Sequence, residues 1–522
     1  VITIFDLDEL GAVIDNACDT NDIEELNTII AIHSECTENM EDSIEKTYSY
    51  YLLGNAWSGV RKINHKKNIT NVWSLEQEEV FKEIYYFRKA IQQKDFKNLD
   101  LSLQLATYVN LGNAFSYYGR IINAIKYFDK AIALKFWHKN VVNHPNYFMA
   151  LINKGLALEY YSELNYDNGH KSLFIKFAYK NFKEAIPIVD KYLEKDYFDR
   201  EYYQNIKENI VSRIKRYEEQ FSIDNLEDIN YFLNYQTNFS KNEDEYRKWC
   251  LSNKLFLNSL NDLGNYDIST HDPLNLPNLT TKIEEGFPKI ITNFNQLKQE
   301  YISYRHLLFE GLHGKTPKYY DKETSITDDF DYNLYDINIE KIKIAFRGFY
   351  SIFDKTANFL NGYFGLNMNE SNIYFSNIWY EYKNRQKIGI KDIFHKTENL
   401  ALRGLYLISK DLFFDKNDDD SKKFIEVLEP EAQKINEIRN HLEHKFISIK
   451  LLNIEQFENY KERDRNFAIT EDELQEKTIH LAQLAREAMI YLSFAVHTEE
   501  SKNKGVDSEL YLEMPLEIMR KI

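Results

Sequence analysis

The strongest constraint on folding lies in the spacing of small and aromatic residues between 108 and 131. Tyr108, Leu111, Gly112 and Phe115 share one helical face, Gly119 follows as a stop, and Ala124, Phe128 and Ala131 resume a helical period. Gly112 and Ala124 are small where two helices cross closely, while Tyr108, Phe115 and Phe128 fill the groove between them. A second unit reads Leu151, Gly155 and Leu158, then Ala178, Phe182 and Ala185, with an insertion of about eleven residues between its helices. A weaker first unit reads Tyr50, Leu53, Gly54 and Trp57, then Phe87 and Ala90. In that copy Glu83 stands where a small residue is expected. One such helix pair cannot bury its apolar face alone, so the units are expected to stack.

Position by position, this pattern resembles tetratricopeptide (TPR) repeats over roughly residues 45–220. The resemblance implies a concave surface for a protein, peptide or nucleic-acid regulator. The plainer reading is a helical scaffold that only supports dimerisation. Residues 1 to about 45 read as short helices that precede the array.

With 8 Pro and 17 Gly in 522 residues, the composition favours long helices over sandwiches or barrels. The net charge of -17 means that the surface as a whole does not attract nucleic acid; a phosphate contact needs a local basic site. Cys18, Cys36 and Cys250 are too few and too scattered for a disulfide framework or a zinc cluster. No apolar stretch is long enough to span a membrane, and Val1 to Leu10 lacks a basic leader, so the expected compartment is cytoplasmic. From about 222 to 288 the helical period weakens into an ordered but irregular connector, with Pro273 and Pro277 as breakers. The apolar run from Trp249 to Leu257 is expected to pack, with Cys250 as a buried structural thiol. The resulting division is a repeat region over 1–235, a connector over 236–286 and a helical domain over 287–522.

Helical patterning returns after Lys289. Helices are expected over Asn293–Glu310, Ile337–Asn361 (capped near Gly362 and Gly365) and Ile390–Phe414. Pro430 suits the first turn of the next helix, whose core stripe reads Ala432, Ile435, Ile438, Leu442 and Phe446. The last long helix starts at Thr470, with Glu473 completing a capping-box pattern. No strand pattern stands out, so the fold class is all-α: a TPR-like repeat region followed by a helical bundle.

The helix with that stripe carries Arg439, Asn440, His441, Leu442, Glu443 and His444. His444 supplies an imidazole that can take or give a proton, Arg439 a permanent cation with a planar fork, and Asn440 an amide for a phosphate oxygen or for His444. On a regular helix Asn440 and His444 share a face, whereas Arg439 and His444 lie about 140° apart. One helix therefore makes an awkward site, and two helices across a two-fold axis make a better one. By residue type alone, an Arg439–Glu443 surface ion pair and a structural His444 are the plainer reading. Asp354 and Lys355, on the Ile337–Asn361 helix, are candidate supports for the site or, more plainly, ion-pairing or simply exposed residues.

Arg439-Asn440-x-x-x-His444 on a late helix of an all-α domain resembles the signature of HEPN domains, and with TPR-like repeats in front the likeness extends over nearly the whole chain. A Tyr often found two residues after the His is replaced here by Phe446. The resemblance implies a metal-independent endoribonuclease without a cofactor, acting as a homodimer through the HEPN domain. RNA is then cut by its own 2′-hydroxyl to leave a 2′,3′-cyclic phosphate, in a toxin or anti-phage role regulated through the repeats. Arg439, Asn440 and His444 are the catalytic candidates, and His441 and Lys445 are candidates for contacting RNA phosphates. The competing expectation is a non-catalytic TPR/HEPN adaptor that dimerises and recruits a partner.

Overall fold

The structure, a computed structural model, describes residues 4–69, 71–194, 199–282, 289–314, 319, 321–327, 333–384, 386–412, 432–450, 467–503 and 511–514. It is all-α apart from three small two-stranded sheets. Two compact units emerge: the first holds Val1–Asn234 and Gly389–Leu407, the second Tyr235–Ile388 and the described residues after 407. No helix among the described residues is long and apolar enough to cross a membrane.

The first unit opens with α1 (Ile4–Thr20) and α2 (Ile23–Glu38), followed by three antiparallel pairs. These are α3 (Ile44–Lys66) with α4 (Glu78–Gln92), α5 (Leu101–Tyr118) with α6 (Ile121–Ala133), and α7 (Pro145–Leu164) with α8 (Asn168–Leu193). The close approach read from the sequence recurs in all three. A Cβ on Gly54, Gly112 or Gly155 would come within 2.6 Å of the ring of Phe87, Phe128 or Phe182 respectively. Polar contacts repeat as well. Asn110 donates to Asn55 and Asn153 donates to Asn113, each at 2.9 Å, from positions two before and one after the equivalent glycines. Glu83, the misfit of the first pair, is buried and accepts from Arg61 at 2.6 Å, so an ion pair fills the place of a small side chain. The extra residues of the third pair form no long loop. They lengthen α7 and α8, leaving only residues 165–167 between them.

Helices α9 (Arg200–Gln220), α10 (Ile223–Glu227) and α11 (Asn230–Leu233) follow. The returning segment 389–407 also belongs to this unit. Gly119 ends α5 with φ +99°, and the carbonyl of Leu400 lies where its side chain would be. Arg403 is buried over the ring of Tyr118, 4.5 Å from its centre, and its Nε and Nη2 meet no oxygen acceptor among the described residues.

In the second unit come α12 (Lys241–Ser252), β1 (Leu279–Lys282), α13 (Lys289–His313), α14 (Ile337–Tyr363), β2 (Tyr380–Lys383) and β3 (Gln386–Ile390). The expected helix over 390–414 is broken into α15 (Asp392–His395) and α16 (Leu400–Leu412), and Phe414 lies outside the described residues. Asn399 causes the restart by capping the backbone N–H of Leu402 at 3.0 Å. Then come α17 (Ala432–His444), β4 (Ile447–Lys450), β5 (Phe467–Thr470), α18 (Glu471–Asn503) and β6 (Tyr511–Met514). Thr470 caps α18 through the N–H of Glu473 at 3.1 Å, as its pattern predicts. Pro430 and most of the polar loop around 315–331 lie outside the described residues. Strands of four or five residues are too short to announce themselves by alternation. β1 pairs antiparallel with β6, and β4 parallel with β5.

The connector, expected to be irregular over 236–286, instead contains α12 and short 3-10 turns at Ser259–Asp262 and Asp267–Ser269, and the stretch after α12 is part of this unit's core. Leu255, Phe256, Leu257 and Leu260 are buried, as is Cys250, whose thiol burial pushes up to about 11. Two buried arginines hold it. Arg305 on α13 grips Asp272 through two 2.8 Å bonds and donates to the Leu255 carbonyl at 2.9 Å. Arg486 on α18 grips Asp262 at 2.8 and 3.1 Å and donates to the carbonyls of Phe256 and Asn258. Burial alone raises the Asp272 carboxyl, but Arg305 outweighs it and holds the group below its ordinary value. Stability from this depressed carboxyl is therefore fully present above the unfolded value of about 3.9 and is lost as pH falls through the lower folded-state value. Urea midpoints followed through acid pH should show Asp272→Asn with a flatter profile than the parent; parallel profiles would contradict this. Arg486→Leu strands Asp262 and should cost about 3–5 kcal/mol in chemical unfolding, whereas Arg403→Leu removes a cation that faces no carboxylate among the described residues and should be near neutral.

Candidate active site on helix 17

Helix α17 is anchored by one side. Ile435 and Ile438 are fully buried, and the helix packs on α14. Leu442 is only half-buried, and Phe446, assigned to the core stripe from sequence, is 80% exposed. The helix ends at His444, two residues before Phe446, so the period that would bring Phe446 inward is cut short. The chain turns directly into β4, whose pairing with β5 ties the end of α17 to the start of α18.

Above this anchor the polar residues divide. Arg439 is half-buried; its guanidinium lies over the ring of Tyr350 on α14, 5.3 Å from the centre, and donates to the Asn440 side chain at 3.1 Å. Asn440 donates in turn to Asn436 at 3.3 Å. The plainer Arg439–Glu443 pair does not form among the described residues; Glu443 is exposed. His444 and Lys445 are exposed beyond the end of the buried stripe. His441 is different: its ring stacks on Phe467 at 4.5 Å between centres, and Nδ1 lies 2.8 Å from the Glu437 carbonyl, which can only accept. Nδ1 therefore carries the proton in that contact.

Asp354 on α14 is one turn beyond Tyr350 and accepts from the Phe375 N–H at 2.9 Å. Burial pushes its carboxyl above the ordinary range, with the Phe375 N–H and Arg439 pulling it partly back. Burial also raises the Tyr350 hydroxyl, against the opposing pull of Arg439. Lys355 is not at the site: it pairs with Glu300 on α13. The arrangement holds a permanent cation on an aromatic face at the rim of the bundle and leaves an imidazole in solvent five residues further along the helix. Tyr350 and Phe467 escaped the sequence reading. For Tyr350 the available signal was its four-residue offset from Asp354, which stacks the two on one helical face.

A direct check on the end of the helix is to truncate both ends of the stripe. Ile438→Ala should cost about 2–5 kcal/mol in chemical unfolding, and Phe446→Ala less than about 0.5 kcal/mol. Equal losses would restore Phe446 to the core.

Among known proteins, no curated protein and no solved structure matches the chain. Residues 281–499 match the model of the family described as LA2681-like HEPN, a span that runs from β1 into α18 and includes α17. The match supports a HEPN domain in this part of the chain.

Proposed function

We propose that the C-terminal domain is a metal-independent endoribonuclease that acts as a homodimer, with Arg439, Asn440 and His444 as its catalytic residues. The observation that carries this reading is the pairing of a ring-held, half-buried Arg439 with a solvent-exposed His444 at the end of one anchored helix. The HEPN match over the same residues supports it. In the reaction the substrate 2′-oxygen attacks the adjacent phosphorus while the bond to the 5′-oxygen breaks. One imidazole takes the 2′-hydroxyl proton, and its counterpart from a second copy protonates the departing 5′-oxygen. The Arg439 guanidinium meets the charge that builds on the phosphoryl oxygens, with Asn440 fixing its orientation. The products are a 2′,3′-cyclic phosphate and a 5′-hydroxyl end. Because Arg439 and His444 diverge by about 140° around α17, two copies of the helix are needed to surround one phosphate. His441 and Lys445 flank that phosphate, His441 through the ring edge left free by Phe467.

In this reading residues 1–235 form a TPR-like regulatory region, 236–286 connect it, and 287–522 carry the nuclease, in a cytoplasmic toxin or antiviral effector. The net charge of -17 favours a second reading, a dimeric adaptor that cleaves nothing. Incubating the full chain with total RNA in excess EDTA separates the two. Cleavage should persist in EDTA and fall about 10²–10⁴-fold in His444→Ala, with Arg439→Ala down about 10²–10³-fold. Undiminished cleavage by His444→Ala would remove the motif from the mechanism.

A further inference from the structure

The chain is acidic, but its charge is not evenly spread. Between Ile44 and Leu193, the three helix pairs carry 21 Lys and Arg against 13 Asp and Glu, a net +8, which leaves -25 for the remainder of the -17 total. Within this region the connection from α6 to α7 has an unusual surface. It reads Leu134-Lys135-Phe136-Trp137-His138-Lys139-Asn140, and no acid occurs between Asp129 and Glu159. Phe136 is 76% exposed and Trp137 is 81% exposed, side by side. Two adjacent bare aromatic rings are costly in water unless a ligand covers them.

The loop presents these rings in an ordered way. The N–H groups of Trp137 and His138 both bond the Leu134 carbonyl, at 3.1 and 2.9 Å. Val141 is buried and plugs the base, and the His144 side chain caps α7 by accepting from Asn146 N–H at 3.2 Å. Lys135 stands 5.9 Å from the centre of the Phe136 ring and shares its charge with Glu184 at 3.2 Å. His138, Lys139 and Asn140 are exposed. Paired flat apolar faces flanked by cations, on the positively charged part of an acidic molecule, match a single-stranded nucleic acid, whose bases stack while its phosphates meet the lysines.

We propose that the α6–α7 connection is a docking platform for single-stranded RNA, with Phe136 and Trp137 stacking on bases and Lys135 and Lys139 meeting phosphates. The inference rests on the RNA-directed reading of the protein and locates substrate capture on the repeats, on residues separate from Arg439 and His444.

The test uses the full chain with His444→Ala, so that binding is read without cleavage, and a fluorescein-labelled oligouridine of about 15 nucleotides. Anisotropy should show binding that weakens with salt. Adding Phe136→Ala with Trp137→Ala should weaken it at least about tenfold, while Trp137→Phe, which keeps a stacking face, should retain most of it. Lys135→Ala and Lys139→Ala should each reduce the salt slope by about one. Both aromatic positions are exposed, so an unchanged circular dichroism melt is expected. No binding by the parent, or equal binding by the double alanine variant, overturns the proposal. So does a double variant that changes the sedimentation of the parent, since the rings would then serve self-association. Aromatic-dependent binding in a protein whose native form cuts no RNA would sink the nuclease reading and leave the platform standing.

Discussion

The C-terminal unit depends on two buried guanidinium–carboxylate contacts. Arg305 and Arg486 project from α13 and α18, and each closes on an aspartate of the connector while also bonding connector carbonyls. Between α12 and β1 the connector has only short 3-10 turns, so its buried backbone groups need partners from elsewhere. The arginines supply those partners, and the aspartates neutralise the arginines. The connector therefore acts as a structural spine for the bundle, and α14, which carries Tyr350 and Asp354, packs against both α13 and α18.

The proposed site inherits its rigidity from this arrangement. Ile435 and Ile438 hold α17 from below, Tyr350 holds Arg439 from the side, and the β4–β5 pair fixes where the helix stops. Stopping there leaves His444 in solvent while Arg439 remains part-buried five residues earlier. A residue that must exchange protons with a ligand needs access, and a residue that stabilises charge gains strength from partial desolvation. In the proposed nuclease, the end of this one short helix supplies both.

Arg403 marks a different balance in the first unit. Its guanidinium is buried among the rings of Tyr117, Tyr118 and Trp73 with no carboxylate opposite among the described residues, and burial lowers its affinity for the proton. Aromatic faces thus replace the ion pairs that secure Arg305 and Arg486.

The sequence by itself determined the features that rest on local spacing. Gly54, Gly112 and Gly155 must face an aromatic, because two helices meet there closely enough to exclude a Cβ, and the period alone located Phe87, Phe128 and Phe182. It also set the start of α18 at Thr470, the helical character of 432–444 and the all-α class. Tertiary structure decided what depends on partners distant in the chain. Glu83 looked like a defect until Arg61 met it, and Tyr350 and Phe467 were not recognised as supports for Arg439 and His441. Phe446 was placed inside by a period that the turn into β4 cuts short. Local spacing reports which face a residue shares, but only the packed chain decides where a helix ends and which ring lies under a charge.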